Sequence, residues 1–371
     1  ELLFPESGGM DLDNKIKGLA LVCVVSIIVL AFAVVVNPDA VQPSAPFETR
    51  VVTDLMGRDV VLPDHVDKVV VIGSIPVLNS IVTAMGAGDT IASKIPESYS
   101  SDKFAYQMVF AKGMENGTVV QQGSDVNIEE IKKIDPDVVF TLDKKQVDLM
   151  EKYDVTVFYL TWWDEPAVEM KKKTITKVGE VFGRQDRART YNDYLDTKIR
   201  FIEDRIADVP YEQRPEVLMC NYKSLSSFSS AQWWIEKAGG RDVSRELKGS
   251  STFDMEKLLA WDPDYIIVYD SMGYADIYDD IRLSGVKAVK DQNVYVIPAG
   301  MGPWLATAEQ PLAMQWAAKL FYPDRFGDVD IEREMQWFYT TFYDYDLSDQ
   351  EILEMLAGGK VVDPGTRGDP Y

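Results

Sequence analysis

Two stretches of the chain follow one pattern, and this repeat constrains the fold more than any other feature. Asn127–Asp143 reads NIEEIKKIDPDVVFTLD, and Asp254–Asp270 reads DMEKLLAWDPDYIIVYD. Aligned without gaps, they share Glu129 with Glu256, the Asp-Pro-Asp of Asp135–Asp137 with that of Asp262–Asp264, and Asp143 with Asp270. Each stretch predicts a short amphipathic helix, a turn and a buried strand. A helix–turn–strand unit that occurs twice predicts two similar α/β lobes, with a cleft between them.

The segments before and after the first unit predict the rest of the first lobe. Thr49–Leu62 has the pattern of a β-hairpin, and Val69–Ile72 that of a short buried strand. Pro76–Met85 predicts a helix, and Val155–Leu160 predicts another strand. Strands that alternate with helices indicate a parallel, helix-covered sheet, so we expect a Rossmann-like lobe over residues 47–165.

A long helix is predicted between the two lobes. Thr174–Asp208 contains no proline, and its second half carries apolar residues at helical spacing, at Tyr191, Leu195, Ile199, Ile202 and Ile206. At roughly 1.5 Å per residue this helix would reach about 50 Å. We therefore expect an interlobe helix within residues 166–210. A second α/β lobe with terminal helices is expected over 211–357, followed by a loose tail at 358–371.

The beginning of the chain predicts a membrane segment. Residues 18–36, GLALVCVVSIIVLAFAVVV, carry no charge and are long enough to cross a bilayer. Lys15 and Lys17 precede them, which places the stub 1–17 in the cytoplasm and the rest of the chain outside. The run favours an uncleaved anchor over a cleaved signal segment, and residues 37–46 predict a proline-stiffened linker. Asn116-Gly-Thr would be a glycosylation acceptor if that side is extracellular.

Charge and composition exclude several function classes. The chain has 371 residues and a formal net charge of −22, so phosphate backbones repel it and nucleic-acid binding is not expected. The acidic surface is explained by solubility or a salty habitat, or alternatively by a basic partner. The only histidine is His65, which removes zinc clusters and His-based catalytic triads. Cys23 and Cys220 cannot plausibly pair, and no GxxxxGK[ST] motif is present.

Several blocks of sequence resemble one protein family. The opening Val52–Pro63, VTDLMGRDVVLP, is followed by the Lys68–Gly73 run KVVVIG and by the Asn127–Val139 block already described. The series is completed by Asn293–Pro298, which reads NVYVIP, and by Leu320–Phe326, which reads LFYPDRF. In order and spacing, over residues 47–345, these blocks resemble the helix-hinged (class III) ABC-transporter solute-binding proteins. That family collects iron–siderophore complexes, haem or cobalamin outside the cell.

The resemblance implies a function without catalysis and a set of partners. It implies a monomer that captures a chelated-metal ligand, such as an iron(III)–siderophore, without a cofactor or a metal site of its own. It also implies an ABC permease with its ATPase as the receiving partner. By their positions, Glu129 and Glu256 match the two glutamates with which the family docks onto permease arginines. The alternative is that each is only an exposed carboxylate near a helix N-terminus.

Candidate ligand-binding residues lie in loops that follow the predicted strands, where ligands sit in parallel α/β sheets. Most are aromatic, and aromatic faces bind planar or greasy chelates. The candidates are Trp162, Trp163, Trp304, Tyr222, Tyr274, Tyr99 and Lys223. Core packing is the alternative for each of the aromatic residues, and Trp233 and Trp234 are expected to be structural.

The sequence leaves the ligand open. Phenolate could bind ferric iron directly, but we expect the metal to arrive already chelated, because no histidine and only scattered carboxylates lie near these loops. Lys223 is the only clear basic residue among them, so a neutral or cationic chelate, or a corrinoid, fits at least as well as a strongly anionic siderophore. Binding of a corrinoid or of haem is therefore the alternative function within the same importer class. A membrane-tethered ligand sensor is a further alternative, and an enzyme is not expected because no nucleophile–base pair is present.

Overall fold

The first lobe is built around a three-stranded parallel sheet. The computed structural model describes residues 48–73, 76–94, 104, 106–123, 125–247 and 251–359. The strands of this lobe are β1 (Thr49–Thr53), β2 (Asp59–Pro63), β3 (Val69–Ile72), β4 (Ser93–Lys94), β5 (Thr118–Val119), β6 (Gln121–Gln122), β7 (Asp125–Val126), β8 (Val138–Thr141) and β9 (Val157–Tyr159). Its helices are α1 (Val77–Ala84), α2 (Tyr106–Phe110), α3 (Ile128–Ile134) and α4 (Lys144–Lys152).

The sheet has the strand order β3-β8-β9, and all its pairings are parallel. All four residues of β8 are buried, as expected for a strand covered by helices on both faces. The predicted hairpin is present as the antiparallel pair β1-β2. The smaller pairs β4-β5 and β6-β7 complete the lobe.

The connection between the lobes differs from the single helix expected over Thr174–Asp208. Two helices are present, α5 (Ala167–Val181) and α6 (Gln185–Arg205), and they form an antiparallel hairpin. Gly183 separates them with φ +65°, a left-handed conformation that ends α5. A Cβ on Gly179 would lie 2.6 Å from Cβ of Ala188, so the two helices are in close contact. The long interlobe helix is therefore α6 alone, about 31 Å at roughly 1.5 Å per residue.

The second lobe repeats the architecture of the first. Its strands are β10 (Glu216–Asn221), β11 (Ser226–Ser227), β12 (Arg241–Asp242), β13 (Tyr265–Val268) and β14 (Val294–Val296). Its helices are α7 (Ser229–Lys237), α8 (Met255–Trp261), α9 (Ser271–Asp279), α10 (Lys287–Lys290), α11 (Gln310–Phe321), α12 (Pro323–Phe326), α13 (Ile331–Tyr343) and α14 (Asp349–Leu356). The strand order is β11-β10-β13-β14, with β10, β13 and β14 parallel and β12 also parallel to β10.

The two repeated units fold alike. Asn127 and Asp254 are the N-caps of α3 and α8, and each side chain accepts a hydrogen bond from the backbone N–H three residues further on. Asp135 and Asp262 end these helices in the left-handed region, with φ of 51° and 42°. A proline follows each of them, and a proline after the helix end is a common stop signal.

The third residue of each Asp-Pro-Asp turn ties the unit to a neighbouring strand. Oδ2 of Asp137 accepts hydrogen bonds from the N–H groups of Asp67 and Lys68, at 2.8 and 2.9 Å. Oδ2 of Asp264 accepts one from the N–H of Glu216 at 2.7 Å, at the start of β10. Both triplets therefore end a helix and hold the start of the adjacent strand.

The terminal helices and the segment before them join the two lobes through one core. The Tyr191 hydroxyl on α6 donates to the carbonyl of Ala308 at 2.6 Å, and the Ala308 N–H donates to Oγ of Ser80 on α1 at 2.9 Å. Phe110 of the first lobe contacts Tyr339 of α13 with ring centroids 5.2 Å apart. Contacts of this kind oppose a wide separation of the lobes.

Some predictions concern parts of the chain outside the described residues. These are the stub 1–17, the apolar segment 18–36, the linker 37–46, the tail beyond residue 359, and Tyr99. Among the residues that the structure describes, no helix is both long enough and apolar enough to cross a membrane. The boundaries between the predicted domains stay a prediction.

Candidate functional site

The loop after β9 carries two of the predicted ligand residues, and they differ in exposure. Trp162 is buried, with 1% of its surface exposed, whereas Trp163 is 44% exposed. The loop leads into α5, whose first turns lie back against it. Thr174 donates a hydrogen bond to the carbonyl of Thr161, and Lys171 donates one to the carbonyl of Trp162 at 2.6 Å. The junction of β9 and α5 is thus held by buried polar contacts.

Lys171 lies among three tryptophan side chains at the junction of the lobes. Its Nζ is 4.6 Å from the ring centroid of Trp162 and 5.7 Å from that of Trp163, both in the first lobe. It is 5.4 Å from the ring centroid of Trp233, on α7 of the second lobe. The side chain is only 3% exposed. We call these four residues the lysine cage.

The position of Lys171 on α5 explains its burial. Buried residues of this helix recur at 171, 174, 175, 178 and 181, which is one face of an α-helix. Lys171 lies at the N-terminal end of that face, where the loop carrying Trp162 covers it. Its neighbour Lys173 lies on the exposed face. Lys171 is therefore buried because it lies on the same helical face as Ile175 and Val178.

The electrostatic environment of Lys171 is unfavourable for its charge. Burial lowers the pKa of its ammonium from 10.5 to about 7, and the nearby carboxylate of Glu165 opposes this shift. The tryptophan rings offset part of the lost hydration through cation–π attraction. Within the part of the chain that the structure describes, its one recorded hydrogen bond goes to the carbonyl of Trp162. An ammonium has three donors, so this site presents unused donors.

The indole groups of the cage add further donors. Nε1 of Trp162 and Nε1 of Trp233 are both buried, and neither has a hydrogen-bond partner among the described residues. An indole N–H can only donate, and a buried donor without an acceptor carries a desolvation penalty. Trp233 was expected to be structural like Trp234. Trp234 is fully buried, but Trp233 also contributes to the cage.

Trp304 belongs to a different part of the junction. It is fully buried in the segment between β14 and α11, so contact with a ligand would require the lobes to open. A Cβ on Gly302 in the same segment would lie 2.8 Å from Cγ of Pro76, which shows how closely this segment approaches the first lobe. Oε1 of Glu309 accepts a hydrogen bond from the N–H of Met301 at 2.8 Å and thereby holds the segment. Burial raises the pKa of the Glu309 carboxyl.

The remaining predicted residues lie in the second lobe. The Tyr222 hydroxyl donates to Oδ2 of Asp280 at 2.6 Å; burial and this bond both raise the pKa of Tyr222. Lys223 is exposed on the turn after β10. Tyr274 contacts Tyr278 with centroids 5.1 Å apart, and it lies in α9 rather than in a loop. The structure brings Trp162 and Trp163 together with Lys171, and the contacts recorded for Tyr222 and Tyr274 lie within their own lobe.

The two predicted docking residues occupy equivalent places. Glu129 is the second residue of α3, Glu256 is the second residue of α8, and both are exposed. Each helix ends at the turn that leads into the following strand, β8 or β13, so the helix is antiparallel to that strand. Both glutamates, near the helix N-termini, therefore lie toward the carboxyl ends of the parallel strands. A cavity of about 910 Å³ opens beside Glu129, and its lining includes Val119, Lys132 and Tyr153.

Comparison with known proteins identifies the family. The sequence profile of the family described as "Periplasmic binding protein" matches residues 79–300, which is more than half of the chain.

The chain is a periplasmic binding protein.

Three relatives illustrate what this binding protein is similar to. The molybdate-binding protein MolA of Haemophilus influenzae is 25% identical over 359 residues, covering 89% of this chain and 97% of MolA. The high-affinity heme uptake system protein IsdE of Staphylococcus aureus is 25% identical over 226 residues, covering 56% of this chain and 75% of IsdE. The crystal structure of a periplasmic solute-binding protein from Veillonella parvula superimposes with a TM-score of 0.72 at 28% identity, covering 84% of this chain and 97% of that one.

These findings confirm the resemblance inferred from the sequence. The protein is a helix-hinged solute-binding protein of the ABC-transporter type, and it is a binding protein rather than an enzyme. Among the described residues, no group of three or more His, Cys, Asp or Glu side chains could hold a metal ion.

Sequence reasoning missed Lys171 in this binding protein. It is the first of three consecutive lysines, and such a run is normally a solvated surface. The signal that could have found it is the helical face of Thr174, Ile175 and Val178, which reaches Lys171 when extended by one turn toward the N-terminus. Lys223 was singled out instead because it follows a strand, and it is exposed.

Proposed function

We propose that this protein captures a metal-bearing ligand outside the cytoplasm, in the cleft between its lobes, and delivers it to the permease of an ABC importer. The equivalent placement of Glu129 and Glu256 carries the delivery step. Two rigid lobes present the same exposed carboxylate at the same helix position. Two basic pockets of a permease could meet this pair and set the register of docking. The cavity beside Glu129 would offer a recess for a permease loop.

The first candidate ligand is the chelated iron expected from the sequence. Trp163 and Trp162 supply apolar faces at the mouth and floor of the cage, and such faces suit the organic part of a ferric siderophore or of haem. The relative IsdE is named for heme uptake, which supports a chelate in this fold family. A corrinoid remains within the same class of ligand.

The second candidate is a metal oxyanion. The relative that covers almost the whole of this chain is named a molybdate-binding protein. The donors of the lysine cage also suit an oxyanion, because ammonium and indole N–H groups donate to negatively charged oxygen. This candidate needs no aromatic contact with an organic chelator.

We also propose that residues 18–36 anchor the protein in the cell membrane and that residues 37–46 tether the lobes beside the permease. The support is the uncharged run of nineteen residues with Lys15 and Lys17 before it. Removal of the anchor by a signal peptidase would instead release the protein, and N-terminal sequencing of the protein made in its own cells distinguishes the two.

Double charge reversal at the docking residues tests the proposed function. In cells that express the permease, Glu129→Lys combined with Glu256→Lys should reduce ligand uptake at least about 100-fold, because like charges across an interface repel and the register is lost. Ligand binding by the purified double variant, measured from tryptophan fluorescence, should stay unchanged. The panel for binding is ferrichrome, ferric citrate, haem, cobinamide and sodium molybdate.

A matched control separates docking from helix stability. Glu332 is also an exposed second residue of a helix, α13, whose N-cap is Asp330. Glu332→Lys changes the helix-end electrostatics in the same way, so its cost in stability should match that of each docking variant. Normal uptake by the double docking variant would show that the glutamates do not dock onto the permease.

A further inference from the structure

We infer that Lys171 is the anion-recognising residue of the interlobe cleft, and that it binds negatively charged ligand oxygen together with the indole N–H groups of Trp162 and Trp233. The inference deepens the proposed function and rests on it, because it assigns a charge class to the ligand. The shared chemistry is anionic oxygen, which a metal oxyanion and an anionic metal chelate both supply.

The donor inventory of the site is the first step of the argument. Three side chains that can only donate, Lys171, Trp162 and Trp233, meet where the lobes join. The one acceptor recorded for Lys171 is a backbone carbonyl, and both buried indole N–H groups lack one among the described residues. Buried donors are normally satisfied. Nε1 of Trp234 and of Trp316, outside the cage, also has no partner among the described residues, so the buried ammonium with its spare donors is what distinguishes this site. A buried positive charge with spare donors is complementary to an anion.

The charges around the cage are the second step. Glu165, in the loop before α5, is the carboxylate that raises the pKa of Lys171, and no ion pair joins the two within the described part of the chain. Lys172 on α5 pairs with Asp196 on α6, and Glu236 on α7 accepts from a tyrosine hydroxyl. These neighbouring charged groups already have their own partners. Among the described residues Lys171 is thus a cation without a carboxylate ion pair, and the Glu165 carboxylate is the nearby negative charge that an incoming anion would have to tolerate.

The position of the cage is the third step. Trp162 and Lys171 belong to the first lobe and its connecting helix, and Trp233 belongs to the second lobe. An anion held by donors from both lobes would draw the lobes together, which couples binding to closure. Trp163 is half exposed and lies against the lysine, so the cage is one side chain below the surface.

The protonation of Lys171 gives a consequence that a merely structural lysine would not produce. With its pKa near 7 in the empty site, most of the amine is neutral at pH 8. A bound anion favours the charged form, so binding takes up a proton from solution. Affinity should then fall by roughly tenfold per pH unit above pH 7, for a ligand whose own charge is constant there.

The test uses the full chain in mild detergent and isothermal titration calorimetry. The probes are sodium molybdate, as an oxyanion, ferric citrate, as an anionic chelate, and cobinamide, which lacks anionic oxygen at its metal. Wild-type protein should bind molybdate or ferric citrate, and buffers of different ionisation enthalpy at pH 8 should show an uptake close to one proton per ligand. Which of the two anions binds identifies the source of the anionic oxygen.

The variants are Lys171→Met and, as a matched control on the same helix, Lys173→Met. Loss of the charge-assisted hydrogen bond should weaken anion binding roughly 10- to 100-fold in Lys171→Met and abolish the proton uptake. The exposed Lys173→Met variant, with the same change in net charge, should bind like wild type. Circular dichroism checks that both variants are folded, and the proton uptake of wild type tests the inference without any variant.

Three outcomes would overturn the inference. They are equal anion affinity in wild type and Lys171→Met, anion binding without proton uptake at pH 8, and binding of cobinamide alone. Each of them leaves the proposed function standing, because capture and delivery could proceed with another ligand. Normal uptake by the docking double variant has a different effect, since it rules out docking through Glu129 and Glu256 without affecting the lysine cage.

Discussion

The charged residues of the two repeated units and the charged residue of the lysine cage differ in exposure and in the number of their partners. In the units, aspartates cap helices and hold the starts of strands, and Glu129 and Glu256 are exposed to solvent. In the cage, a lysine is buried under tryptophans with one hydrogen bond and without an ion pair among the described residues. The charged residues of the units therefore satisfy backbone groups, whereas burial lowers the pKa of Lys171 and so disfavours its charge.

This difference indicates which residues are candidates for ligand recognition in a fold of two repeated lobes. The capping and strand-holding residues that repeat between the lobes satisfy equivalent backbone groups in both, and folding alone explains them. Lys171 has no counterpart in the repeat, and folding alone does not explain it. A group that destabilises the protein and persists in a cleft is a candidate for ligand recognition.

Replacing Lys171 should give the largest change in stability that this comparison predicts, and the change should be a gain. At pH 7 and below, the folded protein must keep a desolvated ammonium, and Lys171→Met removes that penalty. We expect the ligand-free variant to be more stable by on the order of 2 kcal/mol, measured by urea denaturation. Lys173→Met on the exposed face should change stability by less than about 0.5 kcal/mol.

The pH dependence of this gain has a definite sign. The pKa of Lys171 is about 7 in the folded protein, below the ordinary value of 10.5 that applies to the unfolded chain. Between these two values the unfolded state binds more protons, so the stability of wild type rises with pH relative to Lys171→Met. The gap between the two proteins should be full at pH 7 and should close toward pH 10. A gap that widens with pH, or a variant less stable than wild type, would show that the charge stabilises the fold.

Removing the strand-holding aspartates should have effects of similar or smaller size, in the opposite direction. Asp137→Ala leaves two backbone N–H groups without their acceptor, and Asp264→Ala leaves one. We expect losses of about 2 kcal/mol and about 1 kcal/mol in the free energy of unfolding, respectively, because hydrogen bonds to a charged group are lost. Asp148 is exposed on α4, and Asp148→Ala should change stability little.

The relative loss of stability in these two variants tests whether the two repeated units are equivalent in energy. If Asp137→Ala and Asp264→Ala lower the free energy of unfolding equally, the stability of this contact would not depend on the number of hydrogen bonds. The two units would then be equivalent in energy as well as in geometry. Ligand binding should remain normal in both variants under conditions where they are folded, since neither aspartate lies in the cage.

The parts of the fold that the sequence predicted are those encoded by local rules. The Asp-Pro-Asp turns, the caps at Asn127 and Asp254 and the buried strand β8 follow from residue preferences that act within a few positions. The break at Gly183 was not predicted, because a single glycine can continue a helix or end it, and the packing of α5 on α6 decides which. Lys171 was not predicted because its burial depends on a loop and on a helix from the other lobe.

The candidate site was predictable only in part for the same reason. The loop after β9 was identified because parallel sheets bind ligands at the ends of their strands, and Trp162 and Trp163 lie there. Which tryptophans face one another across the junction depends on how the lobes pack. The pairing of Trp233 with Lys171 is a contact between residues 62 positions apart in sequence, counted as 233 minus 171, and no local pattern encodes it.

The smallest predicted effect concerns Glu309, the buried carboxyl that holds the segment before α11. Burial raises its pKa above the unfolded value, so the stability it contributes is complete below the unfolded pKa and is lost as pH rises through the folded pKa. Glu309→Gln keeps an acceptor for the Met301 N–H without a charge. We expect the variant to equal wild type near pH 4 and to exceed it by about 1 kcal/mol at pH 7, measured by thermal unfolding.

The Glu309 experiment tests whether a second buried charge at the interlobe junction also lowers the stability of the protein. A gain at neutral pH would mean that the whole interlobe junction, and not Lys171 alone, keeps charge at a cost to stability. Glu332→Gln, at an exposed helix start, controls for the loss of a carboxylate and should show no such rise with pH. If Glu309→Gln equals wild type near pH 4 but is less stable than wild type at pH 7, the ionised carboxyl is part of the framework that holds the lobes. Lys171 would then be the one group at the junction whose charge opposes folding, and the case for its role in ligand recognition would be stronger.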